Sequence, residues 1–387
     1  MDQKFTFSST LKLRLAGLIG LGLIVTIYGF ISNPDKTWAN LLLNNFYFLS
    51  LALGAMFFVA LQYVTESGWA TMFKRLPEAM SFYIIIAGAI AILLFFGMPS
   101  LYEWAEPGVT DHDALIAHKS PYLNVPFFMI RLVVVFAIWL LLMVIMRRYS
   151  LKEDAEASLA LFNKTKRISM AFIFLFVVTF SIAAIDWIMT IDAHWYSTIF
   201  GLRAIISALY YAIAVMILLA FFLRGKFGIF QEMNVAHRHD FSRYIFRLSI
   251  AWGYLWFVQY LIIWYANIPE ATTYFVTRVN PPWSPLFYLE FILNWTIPFL
   301  VTMSDDFGRK KVVLISMSIL LLIGFYIMLY LQIMPGTIGE MHFGLIDVGM
   351  FVGFAGIFLY FFFTFFSKAA IMPVNHPYLK ESMTKEL

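Results

Sequence analysis

Apolar positions in this chain come in long unbroken blocks, not in the spaced stripes of a soluble amphipathic helix. Ten blocks stand out, at about 15–32, 40–64, 77–98, 123–146, 168–191, 196–223, 244–267, 284–304, 312–334 and 345–367. Most are close to the roughly 20 residues that carry a helix across the hydrocarbon of a bilayer. The breaks between them hold turn formers: Asn33-Pro34, Pro99, Pro121, Gly225, Pro269, Pro281-Pro282 and Pro335-Gly336. The pattern predicts an all-α polytopic membrane protein of about ten transmembrane helices.

Composition agrees. Of 387 residues, 61% are hydrophobic and 13% charged, against roughly 25% charged in an ordinary soluble domain. A net charge of +4 with the basic residues in loops gives no sign of a nucleic-acid partner. The chain has no cysteine, which excludes disulfides and thiolate-held metal or iron–sulfur centres within it. The N-terminal apolar block is longer than a signal-peptide core and no small-residue cleavage site follows, so it reads as a retained helix.

Lysine and arginine set the orientation. Of the 27, only Lys36, Lys119 and Arg278 fall in odd-numbered loops, and only Arg131, Arg203 and Arg247 within spans. All the others lie in the two tails or in even-numbered loops, a positive-inside bias that places both termini in the cytoplasm. The chain then reads as one integral membrane domain, 1–387. It divides into a flanking helix (15–32), two four-helix bundles (40–191 and 196–334) and a second flanking helix (345–367).

The charges inside the spans carry the candidate chemistry, because ionisable groups at membrane depth usually pair or line a water-filled path. At 1.5 Å per residue, Asp186, Arg203, Arg131 and Glu290 all lie roughly 8–10 Å below the outer boundary. Two acids and two bases thus share one layer. Asp186 is expected to pair with Arg203 across the short turn between spans 5 and 6. Such a pair either holds two helices together or gates protons. Asp192 and His194 sit in that turn, where a local hydrogen bond and proton exchange are both open readings for His194. Arg131 joins the layer or snorkels outward. In span 8, Glu290, Asn294, Pro298, Thr302 and Asp305 step down one helix face, and Pro298 frees the Asn294 carbonyl to hold water. This stripe is the expected inner part of a proton route.

Other charges have plainer readings. Glu78 follows Pro77 at a helix start, where an acid suits the dipole, and Arg247 is a snorkelling anchor. The outer loop 99–120, with Glu103, Glu106, Asp111, Asp113, His112 and His118, reads as a solvated loop rather than a metal site. All seven histidines fall in loops or at span ends, so none is placed to ligate a haem between helices.

The segment DWIMTIDAHWYSTIFG, Asp186 to Gly201, resembles the matching stretch of ActF-type subunits of bacterial alternative complex III. These belong to the wider NrfD or polysulfide-reductase-type group, whose fold of two four-helix bundles with flanking helices resembles the layout here. Only Asp186, Asp192 and His194 lie on that motif. The resemblance implies a redox-inactive inner-membrane subunit of a quinol-oxidising respiratory complex, structural and a candidate for proton translocation. It also implies no cofactor in this chain. Its expected partners are an ActC-like sister subunit that takes quinol or menaquinol, an iron–sulfur protein, cytochromes c carrying haem c, lipids, and a terminal oxidase as a further candidate. Two rivals stand beside it: a catalytic quinol-binding subunit of the same family, and a major-facilitator transporter, suggested by the loop SDDFGRKK (Ser304 to Lys311).

Overall fold

The computed structural model describes residues 4–386. Ten helices are long and apolar enough to cross a membrane: Ser9–Ser32, Pro34–Val64, Thr71–Leu101, Val125–Ala155, Leu159–Ile191, Phe200–Phe227, Val235–Ala266, Ser284–Thr302, Lys311–Thr337 and Leu345–Phe366, here spans 1 to 10. No β-strand occurs among the described residues. A single bridge joins Lys4 to Ala370, so both chain ends lie at one end of the assembly, the termini end. The opposite end is the far end.

Most helices outrun their apolar blocks, and side-chain caps mark where several of them begin. Ser8 accepts from the Leu11 N–H, Asn33 from Lys36, Asn124 from Phe127 and Ser158 from Leu161, each satisfying a donor the first helical turn leaves free. Spans 4 and 5 extend through most of the expected loop 147–167 and are joined only by residues 156–158. Span 9 continues through Pro335 to Thr337 rather than breaking there. Span 3 is a chain of short α and 3-10 segments. A further helix, Pro269–Val279, lies between spans 7 and 8.

Contacts between neighbours close two rings. Span 2 packs on spans 3 and 5, and span 4 completes the ring by touching both; spans 6, 7, 8 and 9 do the same. Spans 2 and 6 meet at the centre of the molecule and are its most buried helices. They approach at Gly54, where an added Cβ would sit 2.0 Å from the Ala208 carbonyl oxygen. Spans 1 and 10 form a flanking pair in which Gly22 meets Gly353 backbone to backbone, the close approach that small residues allow between membrane helices.

Overpacking a tight helix contact costs about 1–3 kcal/mol, so Gly54→Ala is expected to lower the thermal midpoint of the detergent-solubilised protein measurably. Gly17→Ala, with nothing within 4 Å of the new Cβ, serves as the neutral control in the same melting assay.

Candidate functional site

The charges at membrane depth pair across helices, but not in the expected combination. Asp186 on span 5 is 1% exposed and receives the Arg131 Nε of span 4 at 2.6 Å. The Tyr122 hydroxyl donates to its other oxygen at 2.9 Å. Arg131 does not snorkel: its guanidinium lies 3.9 Å from the Tyr122 ring centre and 4.4 Å from that of Phe127, and donates to the Tyr122 carbonyl at 3.0 Å. Burial and the Asp186 charge raise the Tyr122 phenol to about 12, so it remains a donor at neutral pH. The expected Asp186–Arg203 pair is absent. The reason is directional: on either side of the turn, Asp186 in span 5 and Arg203 in span 6 face different rings.

Arg203 pairs instead with Glu290 of span 8, both buried. Its second nitrogen donates to Gln259 Oε1 of span 7 at 3.1 Å, and Gln259 in turn donates to Ser197 Oγ at 3.0 Å. Three helices and the far-end turn thus meet on one guanidinium. A cavity of about 10 Å³ lies beside Arg203 and Ser207, the lower limit of room for a single water.

Below Glu290 the helix widens into a π turn over Ile292–Thr296. The Asn294 carbonyl, deprived of its helical donor by Pro298, accepts from the Tyr210 hydroxyl at 3.2 Å, so a protein group fills the place expected for water. Tyr211 donates to Asn294 Oδ1 at 2.9 Å, and Asn294 Nδ2 donates to the Glu290 carbonyl at 2.9 Å. Thr302 is buried and donates only to the Pro298 carbonyl at 2.6 Å. Among the described residues no hydrogen bond joins Asn294 to Thr302. Asp305 is exposed at the termini end, 2.8 Å from His239 and 4.0 Å from Arg243, and the His239 contact holds its carboxyl below the ordinary range. The stripe is therefore continuous only from Ser197 to Asn294.

Asp192 and His194 are drawn elsewhere. Asp192 receives the Arg278 Nη2 at 3.0 Å. Arg278, which looked like a loop cation, is buried, lies 3.4 Å from the Tyr274 ring centre, and donates through Nε to the Leu331 carbonyl at 2.7 Å. That carbonyl is the one Pro335 leaves without a helical donor. The reading of Pro335 as a break hid this: a proline that stays inside the helix four residues after Leu331 demands a donor from outside it. His194 lies 2.7 Å from Asp113, and Glu103, Asp113 and His194 bring ligand atoms within 4.8 Å of one another. His112 and His118 do not join this group. Backbone donation from Ile116, ahead of the His194 charge, holds the Asp113 carboxyl low.

Two further clusters escaped sequence reasoning. Glu78 is no simple dipole residue: it is buried and bound by Arg75, Arg147 and the Ser150 hydroxyl, with Lys74, Glu153 and Asp154 adjoining. The Tyr63 hydroxyl donates to Glu153 at 2.8 Å. Two cavities of about 20 Å³ flank this cluster at the termini end. At the far end Lys36 and Asp347 pair at 2.8 Å, both buried, with Asn40 donating to Asp347 at 3.1 Å. Above Asp186, a cavity of about 260 Å³ opens between Tyr122, Thr190 and Trp195. His237 lies inside the span 7 helix rather than in a loop, and hydrogen-bonds to Asn234 and to the Ser382 carbonyl. The Asp306–Arg309 contact of the SDDFGRKK loop is local and exposed.

No protein-family model matches the sequence, and no curated protein matches it. The fold defines a class, a polytopic α-helical protein built for a membrane, and the site adds two neutralised ion pairs at membrane depth.

Removing one member of a buried pair costs about 3–5 kcal/mol because the other charge is stranded. Arg203→Met is therefore expected to destabilise strongly, and adding Glu290→Met to restore most of the loss, as read by thermal unfolding of the double-mutant cycle.

The C-terminal tail closes over the Glu78 cluster: the Asp154 carboxylate accepts from the Val374 N–H, and His376 packs on Tyr63, Phe162 and Tyr378. Burial first, then Lys74 and Arg75 against the opposing Glu78, drives the His376 imidazole far below its ordinary value. The detached tail then binds a proton that the docked tail does not, so docking weakens as pH falls below about 6.5. Protection from hydrogen exchange over residues 368–386, relative to the intrinsic rate at each pH, should fall between pH 7.5 and 5.5, and His376→Phe should remove that fall.

Proposed function

We propose that this chain is a redox-inactive subunit of a quinol-oxidising respiratory complex of the alternative complex III type, set in a bacterial inner membrane with both termini cytoplasmic. It acts as scaffold and handles protons through its second four-helix ring. Quinol or menaquinol is taken by a sister subunit, and electrons travel through haem c and iron–sulfur centres of partner subunits. The observation that carries the reading is the Arg203–Glu290 pair at membrane depth. Gln259 and Ser197 tie it to the far-end turn, and Asn294, Tyr210 and Tyr211 extend it inward. A carboxylate that gains a proton loses its hold on the facing guanidinium. Protonation of Glu290 would thus release Arg203 towards Gln259 and alter access from one side.

A second reading rests on a different observation. The 260 Å³ cavity is lined by Tyr122, His118 and Thr190, and Tyr122 is hydrogen-bonded to Asp186 behind it; a quinol hydroxyl could be bound there, which favours the catalytic alternative.

Purification in mild detergent should bring haem-c proteins and an iron–sulfur protein along with the chain. In the assembled complex, Glu290→Gln is expected to lower the protons moved per quinol at unchanged quinol turnover, and an unchanged proton yield rejects the proton role. Loss of quinol turnover in Asp186→Asn would favour the second reading instead.

A further inference from the structure

Between the flanking pair of spans 1 and 10 and the faces of spans 2, 6 and 9 runs a cleft of about 930 Å³. Along span 10 it extends from Asp347 to Phe363, roughly 24 Å at 1.5 Å per residue. That is most of the ~30 Å depth of a bilayer's hydrocarbon. Its walls are Leu, Ile, Val and aromatic rings, and its one charged lining residue, Asp347, is neutralised by Lys36. Gly22 and Gly353 hold spans 1 and 10 to each other, and the pair packs mainly on spans 2 and 3, meeting spans 6 and 9 through single ring contacts such as Phe222–Phe363 and Tyr326–Phe351. Nothing in such a groove can bind a polar molecule along its length. Hydrocarbon fits it.

The two mouths differ in charge. At the far end the nearest cation, Lys36, is committed to Asp347. At the termini end Lys12 follows Leu11, which lines the cleft, and Lys226 lies one helical turn beyond the lining residue Phe222. Lys311 sits 5.8 Å from the ring centre of Phe221. All three lysines are exposed, and none has an acidic partner among the described residues. Basic residues at the mouth of a groove between membrane helices recognise anionic lipid headgroups.

We propose that the cleft is a binding site for an anionic diacyl phospholipid, its phosphate held at the termini end by Lys12, Lys226 and Lys311 and its acyl chains lying along span 10. The lipid fills a seam that side chains leave open and couples the flanking pair to both rings. This site does not depend on the proposed proton role.

The test is native mass spectrometry of the protein, with whatever co-purifies, after delipidation and addition of phosphatidylglycerol or phosphatidylcholine. Phosphatidylglycerol should be retained about tenfold or more in preference to phosphatidylcholine. The triple variant Lys12→Gln/Lys226→Gln/Lys311→Gln should lose that preference. Ala355→Trp, which fills the cleft, should lose both lipids; Leu218→Trp on the opposite wall answers the same question should Ala355→Trp fail to fold. Equal retention of the two lipids, a preference that survives the triple variant, or lipid kept by the filled cleft overturns the proposal. So does an isoprenoid quinone extracted from the site, held through the Tyr326 hydroxyl, which has no partner among the described residues.

Discussion

A charge inside hydrocarbon has to be cancelled, and every unusual feature of this molecule follows from how it does so. Arg131 with Asp186, Arg203 with Glu290, and Lys36 with Asp347 each join residues from different helices. Each pair is worth little as net stability, because desolvation offsets most of the attraction. What a pair does supply is register. A helix that slid by one residue would strand two charges in lipid, so the pairs specify which helix stands beside which.

The same constraint governs the backbone. Proline in an apolar helix leaves a carbonyl without its donor, which the bilayer cannot replace with water. Pro298 and Pro335 do this to Asn294 and Leu331, and the fold answers with the Tyr210 hydroxyl and the Arg278 guanidinium. Arg278 thereby ties the helix Pro269–Val279 to span 9, and through Asp192 to the turn after span 5. Pro298 thus helps fasten span 8 to span 6, and Pro335, which read as a break, becomes a point where span 9 is fastened to its surroundings.

The two rings divide the polar chemistry. The first holds Asp186 in a closed arrangement of Arg131 and Tyr122 at its far end and the Glu78 cluster at its termini end. The second holds a run from Ser197 to Asn294 that stops before Thr302. Along span 8 the hydrogen-bonded run breaks between Asn294 and Thr302, around Pro298.

Sequence alone determined that the chain is all-helical and crosses a membrane about ten times, because long apolar blocks have no other stable use. It also marked Asp186, Arg203, Arg131 and Glu290 as a neutral layer, since depth along a helix follows from counting residues. Partners were another matter. Asp186 and Arg203 are close along the chain, yet each turns into a different ring, and rotation about a helix axis is decided by packing against helices far away in sequence. The same blindness hid Lys36–Asp347, over 300 positions apart, and the capture of Glu78 by Arg147 from span 4. Hydropathy sets how deep a residue sits; only the tertiary structure decides which way it faces and what it meets there.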